Sequence, residues 1–357
     1  WLFVAVLAAV GNAGVPMGCY FLTLSLMSSL GVPLGIMGII LPIFTIIDMI
    51  ETHKMQILQE ASQKYGPLCV GLDTDPSYIP ESIIKTIGSV EEAVLTYNKE
   101  IIRRVAADKS ACCFKIQIAY YEAMGLKGMK VYAETLKAVK ESGLIAISDI
   151  KRGDIANTAD AYAKAHFTGD FETDIITINP YMGFDTLKPF TKYANPDLGG
   201  KGAFVLLRTS NPGMVDIEQQ ELKAGGLVLD KTGTELKRIA NEFSSIYTAQ
   251  TCSPIGAVVG CTNESDARAL RDAYPEVFFL IPGYGAQGGA ARIAATLLDK
   301  AGGTVNSSRG ILCAWQKAEN LAEKREQNCL CMNDIANAAA EASVFSKNDL
   351  LNAVKSL

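Results

Sequence analysis

The sequence has little histidine. His53 and His166 are the only two among 357 residues. A zinc site built on imidazoles and a Ser-His-Asp triad each need histidine at particular places, so both kinds of site are disfavoured. Clusters of Lys and Arg are also lacking and the net charge is −5, which argues against a nucleic-acid-binding surface.

Paired cysteine motifs are lacking too. The nine cysteines are an odd number, and none of them forms a C-x-x-C pair. Cys329 and Cys331 form a lone C-x-C, a pattern that is more often incidental than metal-binding. Scattered cysteines with mainly apolar neighbours are typical of a reducing compartment, so we predict a cytoplasmic catalytic domain.

Charge is absent from the first 47 residues, and the first charged side chain is that of Asp48. This length can supply one membrane span of about 20 residues and part of another. It exceeds a signal peptide and lacks the basic start of one. Two Gly-Val-Pro sequences, ending at Pro16 and Pro33, interrupt it in the manner of transporter hairpins. We predict an apolar helical segment over residues 1–52 that associates with a membrane; a buried helical hairpin is the alternative.

Short apolar runs alternate with helical patterns throughout residues 53–357, which we predict to be a separate domain. The runs predict eight strands, Leu68–Leu72, Cys112–Gln117, Leu144–Ser148, Ile175–Ile178, Ala203–Leu207, Ile255–Val259, Val277–Ile281 and Thr304–Asn306. The intervening helices include Val90–Ala107, Lys130–Ser142, Ala156–Phe167, Asp230–Phe243, Glu264–Asp272 and Gln287–Leu298. Eight such units predict an α/β fold, the (β/α)8 TIM barrel. An open doubly wound sheet is the alternative, but no G-x-G-x-x-G follows the first strand.

A run of charged residues follows the third predicted strand. Asp149, Lys151 and Asp154 come directly after its apolar residues, where we expect a loop. Opposite charges this close are costly unless they pair or meet a charged ligand. Since barrel enzymes place their active sites at the carboxyl ends of the strands, these residues are catalytic candidates, together with Lys115 on the second strand. A solvated, salt-bridged turn is the alternative for the pattern taken alone.

The ends of the last two predicted strands indicate a phosphate site. A glycine-rich turn, Gly283–Gly289, opens a helix and contains Gln287. Its backbone N–H groups and the helix dipole can bind an anion, and Arg309 can add a bidentate contact. Loops after strands seven and eight are the usual phosphate site of barrels. The alternative is that these glycines serve only tight turns.

Six motifs in this order resemble the orotidine 5′-phosphate decarboxylase family, in particular its longer bacterial members. The resemblance runs from about residue 53 to the end of the chain. The motifs are Cys69-Val-Gly-Leu-Asp73-Thr-Asp-Pro, Phe114-Lys115-Ile-Gln, Asp149-x-Lys151-x-x-Asp154-Ile-x-x-Thr158, Arg208-Thr-Ser210-Asn-Pro-Gly, Ile281-Pro282-Gly-Tyr-Gly-Ala-Gln287-Gly-Gly and Val305-Asn-Ser-Ser-Arg309-Gly.

The resemblance implies an activity and a set of site residues. It implies a carboxy-lyase that converts orotidine 5′-phosphate to uridine 5′-phosphate in pyrimidine synthesis, with no cofactor and no metal. The implied catalytic residues are Lys115, Asp149, Lys151 and Asp154. The implied substrate-binding residues are Asp73 at a ribose hydroxyl, Ser210 at the pyrimidine, Gln287 and Arg309 at the phosphate, and also Thr158 and Pro282.

The resemblance also implies a homodimer with shared active sites. In the family, the aspartate that corresponds to Asp154 reaches the active site of the partner subunit, and Thr158 is expected to accompany it. Lys151 is expected to donate the proton that replaces the carboxylate at C6 of the pyrimidine.

Three other functions stay open at this point. Mg²⁺-dependent sugar-phosphate decarboxylases and aldolases of the same superfamily share the Asp-x-Lys-x-x-Asp element, but Lys115 and Ser210 favour the nucleotide enzyme. An inactive binding protein on a barrel is a second alternative, although the complete set of catalytic residues argues against it. The third is a dicarboxylate transporter fragment. Gly11-Asn-Ala-Gly-Val-Pro16, Leu30-Gly-Val-Pro-Leu34 and Ile46-Ile-Asp48-Met resemble the last hairpin and final helix of sodium:dicarboxylate symporters.

Overall fold

The computed structural model describes residues 52–248, 250–284 and 290–357. In these ranges, eight parallel strands close into a barrel in chain order, and the last strand pairs with the first. The strands are β1 (Leu68–Gly71), β2 (Cys113–Gln117), β3 (Ile145–Arg152), β4 (Ile175–Ile178), β5 (Gly202–Arg208), β6 (Ile255–Val259), β7 (Phe279–Ile281) and β8 (Gly303–Ser307). The predicted barrel is confirmed, and the open-sheet alternative is wrong.

The helices surround the barrel and connect its strands. They are α1 (Lys54–Tyr65), α2 (Glu81–Ile87), α3 (Val90–Asp108), α4 (Ile118–Glu122), α5 (Gly125–Glu141), α6 (Ala156–Phe167), α7 (Lys188–Thr191), α8 (Val228–Ser244), α9 (Glu264–Ala273), α10 (Ala290–Leu298), α11 (Arg309–Leu312), α12 (Ala322–Glu326) and α13 (Met332–Lys355). Short 3₁₀ turns lie between several of them. The six predicted helices correspond to α3, α5, α6, α8, α9 and α10.

Helix α1, which was not among the predicted helices, closes the amino-terminal end of the barrel. His53 caps it by accepting a hydrogen bond from Gln56 N–H at 3.0 Å, while its other ring nitrogen lies 3.0 Å from the carbonyl of Cys252. Met55 and Leu58 are fully buried and pack with apolar residues from the strands. Since α1 belongs to the barrel core, the ordered domain extends back at least to His53.

Helix α13 was also not predicted. It packs against α3 and α10, and its inner face is built largely from alanine, including Ala336 and Ala339. Small side chains allow the helices to approach closely. The Ser343 hydroxyl meets that of Ser110 at 2.7 Å in this buried contact.

The third strand differs from the prediction in a way that matters for the site. It was expected to end at Ser148, but β3 continues to Arg152, so Asp149 and Lys151 lie on a strand and not in a loop. Polarity alone suggested the earlier end. In the structure, pairing of the charges with one another offsets the cost of placing them on a strand.

The predicted apolar segment lies outside the described residues, apart from Thr52. Within the described ranges, no helix is both long and apolar enough to span a membrane.

Candidate active site

Four charged side chains meet at the carboxyl-terminal mouth of the barrel. Lys115 Nζ donates to Asp149 Oδ2 at 2.9 Å and to Asp73 Oδ1 at 3.1 Å. Lys151 Nζ donates to Asp149 Oδ1 at 2.6 Å. The result is an alternating sequence of contacts, Asp73–Lys115–Asp149–Lys151, which we call the charged array. It joins three predicted catalytic residues with Asp73, which was predicted to bind the ribose.

Burial divides the array into an inner and an outer part. Lys115 and Asp149 are 4% and 5% exposed, whereas the side chain of Lys151 is 45% exposed. The Lys151 ammonium therefore contacts Asp149 on one side and is open to solvent at the barrel mouth on the other. Within the array it is the cation best placed to meet a bound molecule.

Mutual attraction keeps the inner pair ionised. Burial by itself would raise the pKa of Asp149, but the ammonium groups of Lys115 and Lys151 outweigh it and hold that pKa well below its usual range. Burial would likewise lower the pKa of Lys115, but the carboxylates of Asp73 and Asp149 hold it above its usual value. Lys115 therefore keeps its proton at neutral pH.

Asp73 is held from a second direction by Ser308, the residue that follows strand β8. Its Oδ2 accepts a hydrogen bond from Ser308 Oγ at 2.7 Å, and Ser308 Oγ accepts one from Asn306 Nδ2 at 3.2 Å. A Cβ on Gly71 would lie 1.9 Å from Ser308 Oγ, so any side chain at the end of β1 would have to displace Ser308. Ser308 lies in one of the six motifs, but this contact with Asp73 was not predicted.

Strand β4 contributes a residue that the sequence reasoning missed. The Thr177 hydroxyl donates to Asp149 Oδ1 at 2.8 Å and accepts hydrogen bonds from the N–H groups of Ile150 and Lys151. Thr177 is 1% exposed. A lone hydroxyl among the isoleucines of this strand was the only signal in the sequence.

Ser210 and Pro282 lie side by side beyond β6. A Cβ on Gly260 would lie 3.0 Å from Ser210 Cβ and 3.4 Å from Pro282 Cγ, so both residues border the same glycine. Ser210 is exposed. The structure thus places two predicted substrate-binding residues next to the same glycine.

The segment after Ser210 has an anchor that was not predicted. Glu218 accepts hydrogen bonds from the backbone N–H of Thr209, at 3.0 and 3.1 Å, and from its hydroxyl at 2.7 Å. The buried Arg208 guanidinium lies 4.0 Å from the same carboxylate. Because these contacts hold the residue next to Ser210, Glu218 supports the chain where it leaves β5.

The phosphate site is only partly described. Arg309 is the first residue of α11 and is exposed, and within the described ranges no ion pair engages its guanidinium. Gln287 lies outside the described residues, as does most of the glycine-rich turn. Before that turn, Tyr284 donates a hydrogen bond to Asp349 of α13 at 2.5 Å, which ties the start of the turn to the barrel.

Within the part of the chain that the structure describes, no hydrogen bond or ion pair joins Asp154 or Thr158 to the charged array. The Asp154 carboxylate accepts a hydrogen bond from the N–H of Ile155 at 2.8 Å. Within the described ranges, no ion pair joins it to Lys115 or Lys151. Thr158, in the first turn of α6, is exposed.

A closed parallel barrel with paired lysines and carboxylates at its carboxyl-terminal mouth is the architecture of a barrel enzyme. The family model described as Orotidine 5′-phosphate decarboxylase / HUMPS family matches residues 66–324. The chain belongs to this family. A second model, that of the sodium:dicarboxylate symporter family, matches residues 1–54.

Known relatives agree with this membership. An orotidine 5′-phosphate decarboxylase from Clostridium novyi is 48% identical over 273 residues, which cover 76% of this chain and 92% of the relative. One from Clostridium acetobutylicum is 47% identical and covered to 93%. The structure of Leishmania donovani OMP decarboxylase aligns with a TM-score of 0.56 at 26% identity, covering 81% of this chain and 99% of the other. The Plasmodium berghei enzyme, at 18% identity and a TM-score of 0.67, covers 85% of this chain and 99% of its own, and supports the fold.

Proposed function

We propose that the barrel decarboxylates orotidine 5′-phosphate to uridine 5′-phosphate, the activity for which its curated relatives are named. The observation that carries the proposal is the charged array, whose outer lysine faces the barrel mouth. This activity is the first to test, because the relatives that are named for it are 48% and 47% identical to this chain.

The chemistry fits the array. When the bond between C6 and the carboxylate breaks, CO2 leaves and the electron pair stays on C6. The Lys151 ammonium stabilises that charge and then transfers a proton to C6, and the neutral amine regains a proton from solvent. Asp149, held ionised by its two lysines, repels the substrate carboxylate and disfavours the bound ground state.

The remaining residues bind the parts of the substrate that do not react. We assign Asp73 to a ribose hydroxyl and Ser210 to the pyrimidine. Gln287 and Arg309 are assigned to the phosphate, and Pro282 is assigned to the substrate without a particular group. Binding energy from the phosphate, which does not react, can be used to order the site around the pyrimidine.

Two residues act in the site of a second copy. Asp154 and Thr158 are assigned to the partner's site in a homodimer. The support is that Asp154 makes no ion pair with its own array, within the described residues, and that exposed apolar side chains lie close in sequence to the ends of β3 and β4. Ile155, Tyr181 and Met182 are 55%, 74% and 50% exposed. Apolar side chains at such a rim suit contact with another protein surface.

The domain boundary lies between residues 52 and 53. Helix α1 supports this placement because it is capped by His53 and closes the barrel. Residues 1–52 are then a separate unit, whose association with a membrane rests on its sequence alone. The barrel itself is assigned to the cytoplasm.

Divalent metal chemistry is the competing mechanism within the superfamily. In the charged array, lysine ammonium groups occupy both carboxylates, Asp73 and Asp149, where a Mg²⁺ site would need carboxylate oxygens free for the ion. We therefore expect activity to persist after treatment with EDTA. Loss of activity on chelation, restored by Mg²⁺, would favour the competing mechanism.

The main test is a spectrophotometric assay of the full chain, and of residues 53–357, with orotidine 5′-phosphate. We expect turnover by both proteins. Lys151→Ala should lower kcat by orders of magnitude because it removes both the charge at C6 and the proton donor. A folded protein without turnover would refute the proposed function, and near-normal kcat in Lys151→Ala would refute the assignment of the proton donor.

A further inference from the structure

An irregularity lies in the pairing of β3 with β4, next to the charged array. Ser148 pairs with Ile176 and Arg152 pairs with Ile178. Between these two pairs, β3 contains Asp149, Ile150 and Lys151, whereas β4 contains only Thr177. Extra residues of this kind form a bulge, and bulges often turn a side chain toward an active site.

The bulge places Lys151 in an unusual backbone conformation. Its φ angle is 45°, in the left-handed region that residues other than glycine, asparagine and aspartate rarely adopt. Such a conformation persists only where surrounding contacts impose it, and it is often linked to function. The residue it affects is the proposed proton donor.

The Thr177 side chain supplies those contacts. A hydroxyl has one donor and two acceptor positions, and all three are used here. Its oxygen accepts from Ile150 N–H at 3.0 Å and from Lys151 N–H at 2.9 Å, and its hydrogen is donated to Asp149 Oδ1 at 2.8 Å. Because Thr177 is 1% exposed, water has little access to replace it.

We propose that Thr177 is a positioning residue for the decarboxylation: its hydroxyl holds the backbone of Lys151 and the carboxylate of Asp149 in the geometry that places the Lys151 ammonium at the reacting carbon. This inference rests on the proposed function for its role in catalysis. Thr177 itself touches neither the substrate nor the transferred proton. It acts on the orientation of two groups that do.

The decisive substitution is Thr177→Val, which keeps the shape and removes the hydroxyl. The N–H groups of Ile150 and Lys151 lose their Thr177 acceptor, and Asp149 Oδ1 loses one of its two hydrogen bonds. We expect kcat to fall by roughly 10- to 100-fold, the effect of leaving buried polar groups unpaired at a reacting centre. KM for orotidine 5′-phosphate should stay within about threefold, because remote phosphate and ribose contacts supply substrate binding. Thr177→Ser keeps the hydroxyl and should restore kcat to within about threefold of wild type.

Thr173→Val is the matched control. The Thr173 hydroxyl is also fully buried and donates to β3, at the carbonyl of Ala146 2.8 Å away, but at the opposite end of the same strand pair. It should reduce stability about as much as Thr177→Val and leave kcat unchanged. An equal loss of kcat in both variants would mean that only general packing is at stake, and would overturn the inference.

A double variant and a crystal structure complete the test. In a Lys151→Ala background, Thr177→Val should lower the residual rate by a clearly smaller factor than in the wild-type background, because one of the two groups that it positions is already gone. A crystal structure of Thr177→Val should show Lys151 outside the left-handed region or its Nζ displaced from Asp149. A variant that keeps both features, or one that keeps wild-type kcat, overturns the inference.

Two further outcomes stay distinguishable. If the wild-type chain does not turn over orotidine 5′-phosphate, the proposed function fails, and the crystal structure of the variant alone decides whether Thr177 positions Lys151. If Thr177→Val does not fold, Thr177→Ser carries the test. A tenfold or larger loss of kcat in the serine variant would overturn the inference, since serine retains every hydrogen bond.

Discussion

Mixing two inactive variants should restore a defined fraction of activity if the sites are shared between subunits. Lys151→Ala removes the proton donor of a chain's own site, and Asp154→Ala removes the carboxylate lent to the partner's site. When equal amounts of the two chains pair at random, about half of the dimers contain one of each. One of the two sites in such a dimer has lost both groups, and the other is intact. We therefore expect about a quarter of the wild-type activity per chain.

The assay uses co-expressed chains with two different tags, so that heterodimers can be purified and their turnover measured directly. Purified heterodimers should reach about half of wild-type activity, since one site in two is complete. Lys115→Ala mixed with Lys151→Ala is the control. These two lysines contact the same Asp149 of one chain, so no combination of subunits can rebuild a site. Confirmed heterodimers of Lys151→Ala with Asp154→Ala that stay inactive would refute the shared-site assignment.

Three more predictions concern stability and substrate binding. Burial lowers the pKa of His53 and of His166 from 6.5 to about 4, so each favours folding above pH 6.5 and loses that contribution as the pH falls toward 4. At pH 5 the loss should be about 2 kcal/mol for each histidine, and equal urea midpoints at pH 7.5 and 5 would contradict it. Gly71→Ala should displace Ser308 and thereby loosen Asp73, the residue assigned to the ribose. We expect KM to rise about tenfold and the free energy of unfolding to fall by about 1–3 kcal/mol. An unchanged KM would show that the strand end adapts. Arg309→Ala should raise KM by about 10- to 100-fold with a smaller change in kcat, because it removes a charge-assisted phosphate contact. A fall in kcat alone would place Arg309 elsewhere in the mechanism.

Prediction from the sequence succeeded where the signal is local. The barrel follows from eight apolar runs separated by helical patterns, and the comparisons confirm the predicted family and fold. The positions of Asp73, Lys115, Asp149 and Lys151 at strand ends already indicated that they meet, and the structure brings them into contact. Their individual roles, and those of the other predicted site residues, stay predictions.

The sequence by itself determined which elements form, because apolar periodicity and turn residues act over a few neighbouring positions. It also determined the chemical groups available at the barrel mouth. Only the tertiary structure decided that β3 continues through Asp149 and Lys151 and that α1 closes the barrel. It also decided that three residues of β3 lie opposite a single residue of β4, Thr177. These features depend on the register between strands that are distant in the chain and on the pairing of buried charges. No single segment contains that information, so the contact that holds Lys151 in place became visible only when β3 and β4 were seen side by side.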